Sequence, residues 1–103
     1  MRRYYAVFAT DKPDMREVRE RVRASHRTYL RNSGEHSVFV RLGGPTLGPS
    51  SDAMNGTLLV VEADSIDAVM QFVGNDPYMK EGLFSRVEVR PWDWSLGNPE
   101  QRV

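Results

Sequence analysis

Apolar and polar positions change period several times along this chain, and each change marks an element. From Tyr4 to Thr10 the residues are densely aromatic and branched, which predicts a first strand. Asp11-Lys12-Pro13-Asp14 breaks it, with Pro13 suited to a first helical turn and Asp14 to the positive end of a helix dipole. Met15, Val18, Val22, Tyr29 and Leu30 then recur at steps of three, four and seven, one face of an α-helix. Asn32, Ser33 and Gly34 end that helix. Ser37–Leu42 alternates again, placing Val38, Val40 and Leu42 on one face of a strand and Phe39 and Arg41 on the other.

The stretch from Gly43 to Gly56 has no period of its own and reads as a long, turn-rich connection. Thr57–Glu62 is apolar through Val61, the pattern of a central strand. Asp64 and Ser65 offer a cap, and Ile66, Val69, Met70 and Val73 follow at helical spacing until Gly74 and Asn75. Asp76-Pro77 starts a short helical turn that Gly82 closes. Ser85–Arg90 alternates Val87 and Val89 with charged residues, a half-buried strand that Pro91 ends. One domain over residues 1–94 is expected, followed by a polar tail, 95–103, expected to be loose.

The order is βαββαβ. A four-stranded antiparallel sheet with the two main helices on one face buries both helix stripes, and the β-α-β crossovers are right-handed. The other sheet face, where Phe39 or Tyr5 is expected, lacks cover. An uncovered apolar sheet face calls for a partner, and a second copy in a two-fold homodimer is the simplest one.

Composition narrows the function. The chain has 103 residues, and 14 basic residues balance 14 acidic ones, so no net field draws it to nucleic acid or to an anionic membrane. No apolar run approaches the ~20 residues of a membrane helix. The Tyr4–Ala9 stretch is too short for the apolar part of a signal peptide and is read as a strand. Absence of cysteine removes disulfides, thiolate metal sites and a cysteine nucleophile, and fits a cytoplasmic protein. The two histidines, ten residues apart, form no metal pattern, and no cofactor motif is present. Arg16, Arg19, Arg21, Arg23, Arg27 and Arg31 are interleaved with Glu17 and Glu20 at pairing distance along a helix, and are read as a solvated face.

Few residues are left for chemistry. His26 lies four after Val22 and four before Leu30, on the apolar helix face. There it either makes a structural hydrogen bond or lines a cavity as an acid or base near neutrality. Asp76 is explained by capping alone, yet a carboxylate near an imidazole would fix its tautomer and raise its basicity. His36, beside Gly34 and Glu35, reads as an exposed loop residue. Gly43 and Gly44 permit unusual backbone angles and close approach of a ligand.

Several features occur together in a recognisable order. They are Tyr4-Tyr5-Ala6-Val7-Phe8 running into Asp11-Lys12-Pro13, His26-Arg27-Thr28-Tyr29-Leu30, Gly43-Gly44-Pro45, Asp76-Pro77-Tyr78 with Gly82-Leu83-Phe84, and Val87 to Trp92. From about Arg3 to Trp92 the chain resembles the YciI-like, or YCII-related, family. The resemblance implies a ferredoxin-like fold, a dimeric α/β-barrel assembly, and an active site whose histidine and aspartate fall on His26 and Asp76. Gly43-Gly44-Pro45 and Tyr78 would lie near that pocket. The family is similar in fold to muconolactone isomerases, and one relative is a dehydrochlorinase of chlorinated aromatic breakdown. Ser50-Ser51-Asp52 departs from the family in its polarity.

Three readings of function follow. The first is a cofactor-independent lyase or isomerase of a small organic acid. In it His26 moves a proton, Asp76 orients it, backbone amides near Gly44 hold an oxyanion, and Arg41 pairs with a substrate carboxylate if it faces the pocket. The second is a non-catalytic dimer that binds a metabolite in the same pocket. The third, a monooxygenase-like role, rests on fold shape alone.

Overall fold

The computed structural model describes residues 2–32 and 37–100; His36 and the Ser33-Gly34 helix stop lie outside the described residues. The elements run β1 (Arg3–Asp11), α1 (Arg16–Arg31), β2 (Phe39–Leu47), β3 (Met54–Ala63), α2 (Ile66–Gly74), α3 (Pro77–Lys80) and β4 (Phe84–Trp92). All pairings are antiparallel and the strand order is β2-β3-β1-β4, which with helices on one face is the ferredoxin-like arrangement. β3, the most continuously apolar strand, is internal, as its composition requires.

Tyr5 and Val7 of β1 and Leu59 and Val61 of β3 meet Val69, Phe72 and Val73 of α2 in the main core, with Tyr29 and Leu30 of α1 packed against it. Tyr5 therefore faces the helices and not the open side; Phe39, 49% exposed, is on the open side as expected. A second cluster, Val22, Tyr78 and Leu83, fills the angle between α1 and α3 and forms the floor beneath the site. Ser65 caps α2 by accepting the Ala68 N–H at 3.1 Å, a contact worth about 1 kcal/mol.

Four local expectations change. α1 begins at Arg16, not at Pro13: Asp14 takes φ +60°, a left-handed turn conformation that no helix can absorb. β2 runs on through Gly43-Gly44-Pro45 to Leu47 and β3 starts at Met54, so the connection is much shorter than 43–56. Pairing with β3 offsets the weak strand propensity of Gly-Gly-Pro, and Pro45 is tolerated because β2 is an edge strand. The same holds for Pro91, which lies inside the other edge strand, opposite Tyr5. A bulge at Arg41 sets Val40 opposite Val61 but Leu42 opposite Val60, which turns Leu42 to the open face, 51% exposed.

The segment after β4 is anchored where it is described. Trp94 is buried edge-on against Tyr4, Asn98 donates to the Tyr4 hydroxyl at 3.4 Å, and Glu100 reaches Arg41 at 2.9 Å.

Candidate active site

The site forms where α1 passes the start of α3. α2 ends at Gly74, and the extended backbone of Asp76 with Pro77 at the next position starts α3. The Asp76 carboxylate does two things at once. One oxygen accepts the Tyr78 N–H at 2.9 Å, capping α3. Both oxygens lie against His26 Nδ1, at 2.8 and 2.9 Å. With a carboxylate as acceptor, the proton of that contact sits on Nδ1, and the nitrogen left for a substrate is Nε2. Both side chains are buried, His26 at 6% exposure and Asp76 at 4%.

Tyr78 covers the imidazole. Its ring stacks on His26 with centroids 3.9 Å apart, and an imidazolium formed there would meet an electron-rich face. Tyr78 is fixed in turn by Arg19, whose guanidinium lies 4.7 Å over its ring and donates to its hydroxyl at 3.5 Å. Burial pushes the Tyr78 phenol above its ordinary value near 10, against the opposing pull of Arg19 and Arg23. Arg19 itself is clamped by both Asp11 oxygens, at 2.7 and 2.8 Å, and donates to Thr57 at 2.9 Å. Burial alone would lower the Arg19 pKa; the hydrogen bonds and charges of Asp11 and Tyr78 together outweigh it and leave it raised.

Arg19 is thus a correction to the solvated arginine face. It is 4% exposed and belongs to the inner stripe of α1 with Val22 and His26. Its spacing, four after Met15 and three before Val22, places it there on inspection. Asp11 and Thr57 carried no comparable signal, because only the β1–β3 pairing brings them to α1.

His26 and Tyr78 open on a cavity of about 540 Å³ between α1 and the edge strand β2. Arg41, Gly43, Gly44 and Pro45 all line it, so with His26 and Tyr78 six of the seven predicted site positions meet on its wall, and the seventh, Asp76, reaches it through His26. Their roles differ from the reading of the sequence. Arg41 is held by Glu62 at 2.9 Å, and by Glu100, and the hydrogen bond to Glu62 is the main cause of its raised pKa. A Cβ at Gly43 would stand 2.7 Å from the Leu59 side chain, so the bare backbone lets β2 lie close against Leu59. Neither glycine takes a positive φ, a conformation found among the glycines at Gly82 and Gly97. Among the described residues no group of three or more side chains is placed to hold a metal ion, and no helix is long and apolar enough to cross a membrane.

A four-stranded antiparallel sheet of this order with helices on one face belongs to the class of small ferredoxin-like proteins. Residues 3–93 match the YCII-related domain, and the chain belongs to that family. Protein YciI of Escherichia coli is 27% identical over 92 residues, 85% of this chain and 94% of that protein. An uncharacterized protein of Haemophilus influenzae is also 27% identical, over 86% of this chain and 95% of its own length. Among solved structures, 5-chloro-2-hydroxyhydroquinone dehydrochlorinase (TftG) of Burkholderia phenoliruptrix, in complex with 2,5-dihydroxybenzoquinone, is 35% identical with a TM-score of 0.78. That match covers 87% of this chain and 93% of the dehydrochlorinase. A dimeric ferredoxin-like protein of Bacteroides fragilis, 17% identical with a TM-score of 0.56 over 90% of this chain and 96% of its own, shares the fold.

Proposed function

We propose that this protein is a cofactor-independent lyase or isomerase of small cyclic organic acids, with His26 as general base and acid and Asp76 as its orienting partner. The observation that carries the reading is the buried Nδ1 contact to Asp76 beside a cavity of about 540 Å³, a volume in the range of small-molecule sites. His26 Nε2 takes a proton from a carbon or hydroxyl of the substrate. The released electron pair forms a new double bond, and in a lyase the leaving group departs with its own bonding pair. In an isomerase the same proton returns to a different carbon. Asp76 stabilises the imidazolium formed meanwhile, and Tyr78 offers it a π face. The 35% identity to a dehydrochlorinase supports elimination of a chloride from a ring as the first reaction to try.

The working unit in this reading is a homodimer. Phe8, Phe39, Leu42 and Leu58 are each 38–51% exposed on the helix-free face of the sheet, and a second copy covers it.

The test is chloride release from 5-chloro-2-hydroxyhydroquinone and related chlorinated hydroquinones, beside ring opening or shift in a panel of unsaturated lactones. Turnover that His26→Ala abolishes, by a factor of about 100 or more, supports the reading. Turnover unchanged in both His26→Ala and Asp76→Ala rejects it. Binding of these compounds without turnover would leave a metabolite-binding dimer instead.

A further inference from the structure

Steps of four along α1 place Arg19, Arg23, Arg27 and Arg31 on the pocket side of the helix, and all four line the cavity. Two groups on this wall are neutralised: Arg19 by Asp11, and Arg41, across the cleft, by Glu62 and Glu100. Arg23, Arg27 and Arg31 have no carboxylate partner among the described residues, whereas Arg16 and Arg21, on the flank away from the cleft, pair with Glu20 and Glu81. Among the described residues no acidic side chain lines the cavity. In a chain whose charges sum to zero, the pocket therefore concentrates unbalanced positive charge. Arg23 is close enough to the buried end to lower the Tyr78 phenol against the effect of burial.

From this we infer that Arg23, Arg27 and Arg31 form an oxyanion-binding wall, and that the ligand carries more than one acidic group on an apolar body. Resting on the proposed substrate pocket, the inference names the class of compound that enters it. The three residues follow one another at about one helical turn along α1, so their backbone positions span about 12 Å, further than one carboxylate reaches. Arginine suits carboxylate and phosphate alike through its fork of donors. Leu30, Val40 and Leu59 supply the apolar surface beside them. An acid group on the Arg27–Arg31 side leaves the body of the ligand pointing inward to His26. This assigns the anion contact to α1 and takes it from Arg41, whose charge is already matched.

Isothermal titration of the full chain settles it, with isophthalate, benzoate and phenyl phosphate as probes and dimethyl isophthalate as the uncharged control. Isophthalate should bind more tightly than benzoate, weaken as salt rises, and lose roughly tenfold or more in Arg27→Gln and in Arg31→Gln. Arg21→Gln should leave binding unchanged. Phenyl phosphate binding above benzoate would assign the wall to phosphorylated ligands, and the reverse to carboxylates; either keeps it. Binding of the diester as tight as the acid, equal loss in Arg21→Gln, or no probe bound at millimolar concentration overturns it. His26→Ala should still bind isophthalate, so failure of the acid–base reading and failure of the anion wall give different results.

Discussion

The ring of Tyr78 lies against that of His26 with planes 20° from parallel, while its own backbone N–H is held by the carboxylate that holds His26. One aspartate thus sets both the imidazole and the ring that covers it. The stack ties the short α3, a single turn, to the middle of α1, and the turn owes its position to the side chains of the site.

Asp76→Asn separates the two roles of that carboxylate. Asparagine caps a helix about as well as aspartate, so stability should fall by no more than about 1 kcal/mol. Nδ1 of His26 then faces a neutral amide, and turnover should drop by about 100-fold or more. Asp76→Ala removes cap and partner together and should cost about 2–3 kcal/mol, a buried donor being left unmatched. Urea unfolding of both variants reads the first difference, and the ¹⁵N shifts of His26 in NMR read the change of tautomer. Equal stability losses in the two variants would contradict the assignment.

Arg19→Met should be among the most damaging changes outside the core. It leaves Asp11 as a buried carboxylate without its partner, at a cost of about 3–5 kcal/mol. Arg19→Met with Asp11→Asn should recover most of that loss in denaturant melts. If the single variant melts like the parent, the clamp is not holding β1 to α1.

Tyr78 gives stability a pH dependence. Its folded-state pKa is raised above the ordinary value near 10, so the neutral phenol is favoured by folding. The associated stability is present in full below pH 10 and is lost as pH rises through the higher folded-state value. Tyr78→Phe, which keeps the stack and cannot ionise, should show a shallower decline than the parent between pH 9 and pH 11, at about one pH unit per step. Parallel declines in paired thermal melts would refute it.

Replacing Phe8 with glutamate should yield monomers. The site is on β1, is 48% exposed, and pairs across to Leu58 on the open face. Sedimentation of the parent at twice the monomer mass, and of the variant at one, is the expected result; a monomeric parent would remove the sheet face as an interface.

Much of this arrangement was legible in the residues. The helix-face position of His26 and the cap position of Asp76 are local patterns, and a βαββαβ order brings the two helices that carry them to one end of a sheet. What escaped the sequence was non-local. Arg19 looked solvated because arginines surround it, and its burial depends on Asp11 arriving from β1 at hydrogen-bond distance. Gly43-Gly44-Pro45 looked like a loop because its strand character comes from Leu58 and Leu59 on β3, not from its own propensity. Leu42 was assigned the wrong face because one bulged residue, Arg41, inverts every side chain after it.

Pro45 and Pro91 sit in the two outermost strands, one on each border of the sheet. Neither can hand a backbone hydrogen to a newcomer lying alongside. Sideways growth into fibres is thereby discouraged at both margins at once.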